Sequence, residues 1–398
     1  MANALLTTDL IVDRALMRFS ESLTFLKSIP KTYQPEFEGT PKVGDEVRVP
    51  IPQHAVIRDG RVATPAPMQT LVRPVTIQGQ LGFDLTYSSA ELALDIEEFD
   101  RRYLSQQIAD LAVTVEARAL ALAYKWTPNQ TGTPDGQWTK IAYANLAKKF
   151  IEDNGGGKGT KRMLTNNAAD TTIIPALSGL FNAQKQIDVQ YEDGVMGRAS
   201  GFDWSSTTVA PVHQRGTANA SYDINGANQT GSSIAIDTGA GTFLVGDIVT
   251  FAGCFAVHPQ TKDNLGYLRQ FVVTEDLAAA GNLKVYPAVT VTGSEQNVTA
   301  SPTDGGDVVI LGTASDTYGI NLAYRPEAFQ FVTVDLPELK GWQNSRREFE
   351  GVSMRVVEAS DAVNDTNLTR FDIMWGFGAL RPEWACRVAN DPGALTPA

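Results

Sequence analysis

Residues 75–128 read VTIQGQLGFDLTYSSAELALDIEEFDRRYLSQQIADLAVTVEARALALAYKWTP, and here an extended segment runs directly into a helical one. Up to residue 86, apolar and polar residues alternate, which is typical of a β-strand. Beyond it, apolar residues recur every three or four positions. Ser88 and Glu91 fit a capping box, and Thr127–Pro128 ends the pattern. The spacing predicts one helix over 88–126, about 58 Å long. Two helices with a bend near Gln106–Gln107 are the alternative.

The extended segment starts near residue 43 and contains a turn signal at Asp59–Gly60. Residues 43–86 therefore predict a long two-stranded hairpin. The prolines at positions 50, 52, 65, 67 and 74 cannot donate to a strand ladder, so we expect the hairpin to have open edges. An isolated hairpin is marginally stable at best in water. We therefore expect this ribbon to protrude and to rest on a neighbouring subunit.

Residues 8–27 predict an amphipathic helix that ends before Pro30. Its apolar stripe either packs on the chain's own core or docks on a neighbour, and the sequence leaves both open.

The rest of the chain predicts an α+β fold with a β-rich insertion. Helices are predicted at 142–152 and 171–186, and strands at 162–165 and from Gly197 to Val212. Residues 214–317 are rich in Gly, Thr, Asn and Ser and contain short β runs typical of a small barrel or sandwich. These runs are Ser233–Ile236, Asp247–Phe251, Phe271–Thr274, Leu283–Val285 and Asp307–Leu311. Helix and strand return at Asn321, and strands at 329–336, 351–359 and 368–375 should complete the host sheet.

Composition excludes several functions. The 398-residue chain carries a net charge of −12, and its basic clusters are short: Lys148–Lys149, Lys158 to Arg162 and Arg346–Arg347. Each is expected to be a solvated face and not a phosphate track. No stretch reaches the roughly 20 apolar residues of a membrane span. Asp9 and Asp13 interrupt the apolar N-terminal region, so we expect no signal peptide. Cys254 and Cys386 lack metal-type spacing and are expected to be reduced, buried or half-buried thiols.

No catalytic, cofactor-binding or metal-binding residue is predicted. His54, His213 and His258 lack ligand spacing, and no carboxylate is placed for a triad. Gly155–Thr160 superficially matches a phosphate loop, but Glu152 stands where its first glycine belongs and Gly159 follows the lysine. A flexible loop is the better interpretation. The chain is predicted not to be an enzyme.

Three local motifs and the order of elements carry a resemblance. The motifs are Gly197-Arg198-x-x-Gly201-Phe202-Asp203, Gly246-Asp247-Ile248-Val249-Thr250-Phe251-Ala252-Gly253, and Phe371-Asp372-Ile373-Met374-Trp375-Gly376-x-x-Ala379-Leu380-Arg381-Pro382-Glu383. Together with arm, ribbon, long helix, α/β block, insertion and closing strands, they resemble the major capsid proteins of tailed bacteriophages with the HK97-like fold. The insertion is similar to that of the phage P22 coat protein branch.

The resemblance implies six regions: an N-terminal arm (1–42), an extended loop over the adjacent subunit (43–86), a spine helix and peripheral domain (87–138), a first central part (139–213), an inserted β domain (214–317) and closing strands (318–398). The family's insertion carries a charged loop that bridges capsomers. Its counterpart here, Arg215–Gly231, has few charges, so salt bridging there is not expected.

The implied function is a structural subunit of an icosahedral phage head. Its implied partners are itself, in hexamers and pentamers, a scaffolding protein, a portal protein and, left open, a decoration protein. The shell would enclose DNA without sequence-specific binding, contact no membrane, and assemble in the bacterial cytoplasm. The alternatives are an encapsulin-type compartment shell and an enzyme or carbohydrate-binding protein that uses the β insertion.

Overall fold

A computed structural model describes residues 8–32, 44–55, 61, 71–88, 104–157, 159–177, 197–339, 341–361, 364 and 366–391. The α+β class is as predicted. The chain divides into two compact units. Unit 1 comprises Met1–Val49, Val72–Ala119 and Phe329–Leu380, and unit 2 comprises Pro50–Leu71, Leu120–Ala328 and Arg381–Ala398.

Helices and strands follow in this order. The helices are α1 (Thr8–Ser22), α2 (Phe25–Ser28), α3 (Ser105–Trp126), α4 (Ala142–Ile151) and α5 (Asn167–Leu177). The first strands are β1 (Glu46–Ile51), β2 (Leu71–Ser88), β3 (Asn129–Gly132), β4 (Lys161–Asn166), β5 (Arg198–Ala199), β6 (Phe202–Thr207) and β7 (Val212–Gln214). The middle strands are β8 (Asp223–Ile224), β9 (Gly231–Asp237), β10 (Ile248–Val257), β11 (Asn264–Val273), β12 (Gly281–Val289) and β13 (Val308–Ile310). The last strands are β14 (Thr317–Tyr324), β15 (Phe329–Val334), β16 (Gln343–Phe349), β17 (Val352–Asp361), β18 (Thr366–Ala379) and β19 (Ala385–Asn390).

The sheet of unit 1 is organised by one long strand. Its strand order is β1-β2-β18-β17-β16, and β15 also pairs with β18. The first half of β18 pairs with β17 and its second half with β15, while β2 runs along its other side. Phe83 stacks on Phe371 across the β2–β18 pair, with ring centroids 4.6 Å apart. A 14-residue strand thus collects three neighbours from distant parts of the chain.

The prediction of a free ribbon is wrong for its described arms. From Thr76 to Ser88, β2 is hydrogen-bonded to β18 of its own chain, so it is an interior strand. Of the ribbon's two described strands, β1 is the one at a sheet edge, and it contains Pro50. Pro74 lies outside the β2–β18 pairing, which is where proline can sit without removing a ladder bond. Residues 56–60 and 62–70, which hold the predicted turn, are outside the described residues.

Ser88, the predicted helix cap, is in a strand, opposite Thr366 of β18. An N-cap residue normally has such an extended backbone, so a helix start directly after Ser88 stays a prediction. The observed helix α3 covers Ser105–Trp126, about 33 Å, and passes through Gln106–Gln107 as helix. The predicted part over 89–103 falls outside the described residues.

The N-terminal helices pack on the core of unit 1 itself. For the described residues, the apolar stripe of 8–27 therefore packs on the chain's own core. The buried side of α1 faces β16 and β17 and consists of Ile11, Val12, Ala15, Leu16, Phe19 and Leu23. At its start, Asp9 accepts hydrogen bonds from Ser345 and from Arg347, the latter at 3.0 Å. The predicted single helix breaks at Leu23–Thr24.

Glu116 of α3 joins the second short helix to this core. The side chain is 3% exposed, and its Oε2 accepts the backbone N–H groups of Thr24 at 2.8 Å and Phe25 at 3.1 Å. Phe25 packs edge-on against Phe329, with ring centroids 5.9 Å apart. Burial raises the pKa of Glu116, and the backbone hydrogen bonds oppose that shift. The carboxylate therefore accepts from the backbone amides at the start of α2, which have no helical partner.

Replacing Glu116 with alanine should loosen the start of α2. We expect the amide of Phe25 to exchange with solvent about 10–100-fold faster in Glu116→Ala, because buried N–H groups without an acceptor cost about 1–3 kcal/mol. Glu116→Gln keeps an oxygen for both amides and should stay within about threefold of the parent. Hydrogen exchange read by mass spectrometry measures this. The exposed Arg118→Ala in the same helix is the control, and equal exchange in all four proteins would contradict the role.

Unit 2 contains a seven-stranded sheet, here called the host sheet, with order β3-β19-β14-β4-β6-β5 and with β7 pairing β14. The β4–β6 and β19–β3 pairs are parallel. Helix α4 packs on it through Ala144, Ala147 and Ile151, close to the predicted 142–152 helix. The predicted 171–186 helix is observed as Asn167–Leu177, and 178–196 lie outside the described residues. After Asn321, the described chain has strands and short 3-10 turns rather than the predicted return of helix.

The second sheet of unit 2, here called the barrel, spans residues 223–310 with order β13-β10-β11-β12-β9-β8. Its two end strands meet, because Ile224 N–H bonds Gly306 O at 3.0 Å and Val308 N–H bonds Tyr222 O at 2.9 Å. All five predicted β runs contribute strands, and the sequence missed only β8. Its interior is aliphatic and aromatic, with Phe243, Phe251 and Phe271 fully buried. The wider division of the chain into the six predicted regions stays a prediction.

Candidate functional site

The three histidines do not form one site. His213 lies at the start of the barrel region and is 2% exposed. His54 follows β1, and His258 follows β10 with its Nδ1 accepting two backbone amides of its own loop. Among the residues that the structure describes, no group of three or more His, Cys, Asp or Glu could hold a metal ion. Within the same residues, no helix combines the length and apolar character needed to cross a membrane.

His213 has a carboxylate partner that the sequence analysis did not find. Its Nε2 lies 2.9 Å from Oδ1 of Asp247, and both side chains are at most 2% exposed. Asp247 also accepts the backbone N–H groups of Gly216 and Leu244. Gly246 before it has φ of +104°, and a Cβ there would lie 3.0 Å from the His213 ring. Only glycine fits both the turn and the ring.

Arg387 of β19 completes this cluster, here called the buried junction (His213, Asp247 and Arg387). The arginine is fully buried. Its Nε and Nη2 donate to Thr127 O at 3.0 and 2.8 Å, and its Nη1 donates to Gly246 O at 2.7 Å. The guanidinium lies 5.5 Å from the ring of Tyr124. Burial lowers the pKa of Arg387, and the charge of Asp247 opposes that shift.

The junction has no room for a reaction. Tyr124 and Tyr318 pack edge-on against the His213 ring at 5.7 and 5.4 Å. Arg387 donates to two backbone carbonyls, and the Asp247 carboxylate faces His213 and two backbone amides. The arrangement therefore ties the start of the barrel to β19 and to the end of α3 as a structural joint.

The junction makes stability depend on pH. Burial lowers the pKa of His213 below 6.5, although the hydrogen bond to Asp247 opposes the shift. The unfolded chain then binds a proton more readily than the folded chain. The contribution of His213 to stability is complete above about pH 6.5 and is lost as the pH falls toward the folded-state pKa.

A His213→Asn variant should respond less to acid. We expect the urea concentration at the parent's unfolding midpoint to be lower at pH 5.5 than at pH 7.5. Protonation of this one group can change the free energy of unfolding by at most about 1.4 kcal/mol per pH unit. Asparagine can still donate to Asp247 but does not titrate, so the variant's midpoint should fall less. His258→Asn is the matched control and should keep the parent's slope. Equal slopes in all three proteins would show that His213 does not carry the effect.

Further polar contacts, here called the polar seam, join the barrel to residues of unit 2 outside the barrel. Its pairs are Tyr267 with Asp153, Arg269 with Asn154, Gln270 with Gln130, and Tyr286 with Glu383. Arg269 is 6% exposed and donates to Asn154 Oδ1 at 2.8 Å. Burial lowers the pKa of Arg269, and the charge of Glu383 opposes this. Directional bonds thus fix the barrel's orientation within unit 2.

The glycine-rich segment 155–160 wraps an arginine instead of a phosphate. Arg325 donates to Gly156 O and lies 4.9 Å over the Trp384 ring. A Cβ on Gly159 would lie 2.8 Å from the guanidinium, so a larger residue there would displace the Arg325 side chain. Lys158 falls outside the described residues. The backbone of this segment is therefore used internally.

Both cysteines are buried and free, as predicted. Burial raises the pKa of Cys254 to about 12 and also raises the pKa of Cys386. Neither thiol is therefore activated as a nucleophile.

Unit 1 displays large apolar side chains on a backbone that is held in place. Leu339 and Trp342, in the loop before β16, are 41% and 54% exposed. Asn344 Nδ2 donates to the carbonyls of both residues, at 2.5 and 2.9 Å. Arg355, paired with Asp372 at 2.6 Å, also donates to Pro337 O. We call Leu339 and Trp342 the apolar loop. A fixed backbone that presents exposed leucine and tryptophan is suited to binding another protein surface.

The basic cluster Arg346–Arg347, in β16, is already paired with carboxylates. Arg346 lies 3.5 Å from Asp335, and Arg347 lies 3.0 Å from Asp9. The flanking charges are therefore solvated ion pairs and do not form a phosphate track.

Comparison with known proteins agrees with the resemblance. The family model described as "P22 coat protein - gene protein 5" matches residues 1–387. A curated relative, the "Major capsid protein" of Acyrthosiphon pisum secondary endosymbiont phage 1, is 23% identical over 291 residues, covering 66% of this chain and 68% of that protein.

Similar solved structures have low sequence identity. Mycobacterium phage Che8 matches with 9% identity and a TM-score of 0.44, covering 92% of this chain and 90% of that chain. The capsid of cyanophage P-SCSP1u matches with 11% identity and a TM-score of 0.42, covering 88% and 85%. The virus-like particle from Pyrococcus furiosus matches with 9% identity and a TM-score of 0.38, covering 96% and 98%.

Proposed function

The chain belongs to the P22 coat protein family, and we propose that its copies join through surfaces that the folded subunit already holds rigid. It is a structural phage capsid protein of the virion shell and not an enzyme. Copies of it assemble with one another. The family match favours a phage capsid protein over an enzyme or carbohydrate-binding protein, and the encapsulin-type shell is the minor alternative.

The apolar loop carries the proposal about contacts. Trp342 is the most exposed large apolar side chain among the described residues. Its neighbours in the loop are fixed by Asn344 and Arg355, so burying it against a second copy costs little ordering of the backbone. The occupant is a second copy because the shell is built from this chain. Many such contacts, each weak, close a shell that no single contact could hold.

The roles of the six regions belong to this proposal. The segment that continues from β1 would lie over an adjacent subunit, and the helix that includes α3 would form the spine. The barrel would steady the folded subunit, which its buried junction and polar seam support. We further propose hexamers and pentamers, a scaffolding and a portal protein as partners, and DNA held without sequence-specific contacts. The charge of −12 favours a wall that does not grip DNA. A decoration protein remains an additional proposal.

Electron microscopy of the purified full-length chain, with and without a scaffolding protein, tests the function directly. We expect closed particles of uniform size. A protein that stays monomeric at high concentration in both conditions would overturn the proposed shell.

Replacing both side chains of the apolar loop with alanine should weaken assembly and leave the fold intact. We expect Leu339→Ala/Trp342→Ala to need at least about tenfold more protein for half-maximal particle formation, because buried tryptophan anchors contribute 2 kcal/mol or more in interfaces, roughly. Its melting temperature should stay within about 2 °C of the parent, because both side chains are substantially exposed. Val309→Ala, 50% exposed in the barrel, is the control. Light scattering and sedimentation measure assembly, and circular dichroism measures the melting temperature. Unchanged assembly of the double variant would exclude this loop.

A further inference from the structure

The chain that follows β1 is held by the barrel. Gln53 Nε2 donates to Ser294 Oγ at 2.5 Å, and the backbone N–H of His54 donates to Glu295 Oε1 at 3.3 Å. Both acceptors belong to the loop that follows β12. These residues lie about 240 positions apart in the sequence and belong to the same compact unit.

A second grip comes from the segment just after β18. Arg381 Nη2 donates to Pro52 O at 3.1 Å, and its guanidinium stacks on Trp384 at 4.6 Å. Stacking on an aromatic face restricts the arginine, so the donor reaches the carbonyl from a fixed direction. Pro52 cannot donate to a strand ladder, and its carbonyl is the group that the arginine uses.

The barrel loop is itself braced before it meets Gln53 and His54. Lys262 Nζ donates to Ser294 O at 2.5 Å and to Gln296 O at 3.3 Å. Asn297 closes the loop's base by bonding the end of β12, accepting from Thr290 N–H and donating to Ala288 O. The acceptors therefore stand in fixed positions, which a mobile surface loop would not provide.

The groups around His54 favour the neutral form of its imidazole ring. The charged and titratable groups around it are Glu295, Lys262, Arg381 and His258. Burial lowers the pKa of His54, and the two nearby cations act in the same direction, against the charge of Glu295. At neutral pH the imidazole therefore adds no charge to this contact.

We propose that Ser294, Glu295 and Arg381 form a clamp that sets the direction in which the chain leaves β1, and that Gln53 and His54 are positioning residues for assembly. This deepens the proposed function and rests on it. The barrel thereby takes part in aiming the segment that continues from Ala55 toward a neighbouring copy. A fixed departure direction reduces the conformational freedom that a subunit contact must remove.

The test separates positioning from folding. Gln53→Ala removes the bond to Ser294 and changes no barrel residue, and Gln53→Ala/Glu295→Ala also removes the bond between His54 and Glu295. The bond from Arg381 to Pro52 stays in both variants. Glu275→Ala is the matched control, because it removes an exposed carboxylate of the barrel away from the clamp. Full-length proteins are compared by hydrogen exchange at residues 50–55, by melting temperature, and by the protein concentration at which half the subunits enter particles.

In the double variant we expect exchange at residues 50–55 to rise about fivefold or more and half-assembly to need several times more protein. The melting temperature should stay within about 2 °C, and Glu275→Ala should match the parent throughout. Gln53→Ala should show the same changes to a smaller extent.

Two results would overturn the clamp: assembly of the double variant at the parent's concentration, or a fall in melting temperature that accounts for its poorer assembly. Failure of the parent itself to form particles would instead overturn the shell function, and the clamp's role in assembly with it.

Discussion

A fully buried arginine is the constraint that organises the larger unit of this subunit. Arg387 lies in β19, in the middle of residues that pack the host sheet, and its guanidinium cannot reach water. It is satisfied by carbonyls from the end of α3 and from the turn that starts β10. Removing one partner of a buried charge costs several kcal/mol, roughly 3–5. The turn at Gly246, just before β10, is therefore held in one position, and this places Asp247 beside His213.

The same logic continues along the polar seam. An apolar contact between barrel and host side would tolerate sliding, because hydrophobic burial has no preferred direction. Hydrogen bonds such as those between Arg269 and Asn154 or between Gln270 and Gln130 do have one. The barrel has its own apolar core, and these directional bonds hold it in a fixed orientation within unit 2. For a shell subunit this matters, since angular errors in one copy are repeated in every contact.

The described ribbon and arm are more self-contained than the open-edged pattern indicated. Strand β2 has β18 beside it, and α1 and α2 lie on their own unit. Exposed strand edges invite uncontrolled pairing, and pairing within the chain removes that risk before assembly. In the assembly that we propose, a second copy would contact the apolar loop, whose backbone is already held by hydrogen bonds.

The sequence by itself determined the elements whose periodicity is local. The five β runs of the barrel, helix α4 and the closing strands appeared where alternation or helical spacing placed them, because each pattern lies within a dozen residues. Strands β14 and β19 were missed, since strands buried on both faces show no alternation. Only the tertiary structure decided which strands lie beside β2, whose residues from Thr76 to Ser88 pair with β18. It alone also joined His213 to Asp247 and Gln53 to Ser294, because contacts between distant positions depend on how the sheets fold together, and no local spacing records that.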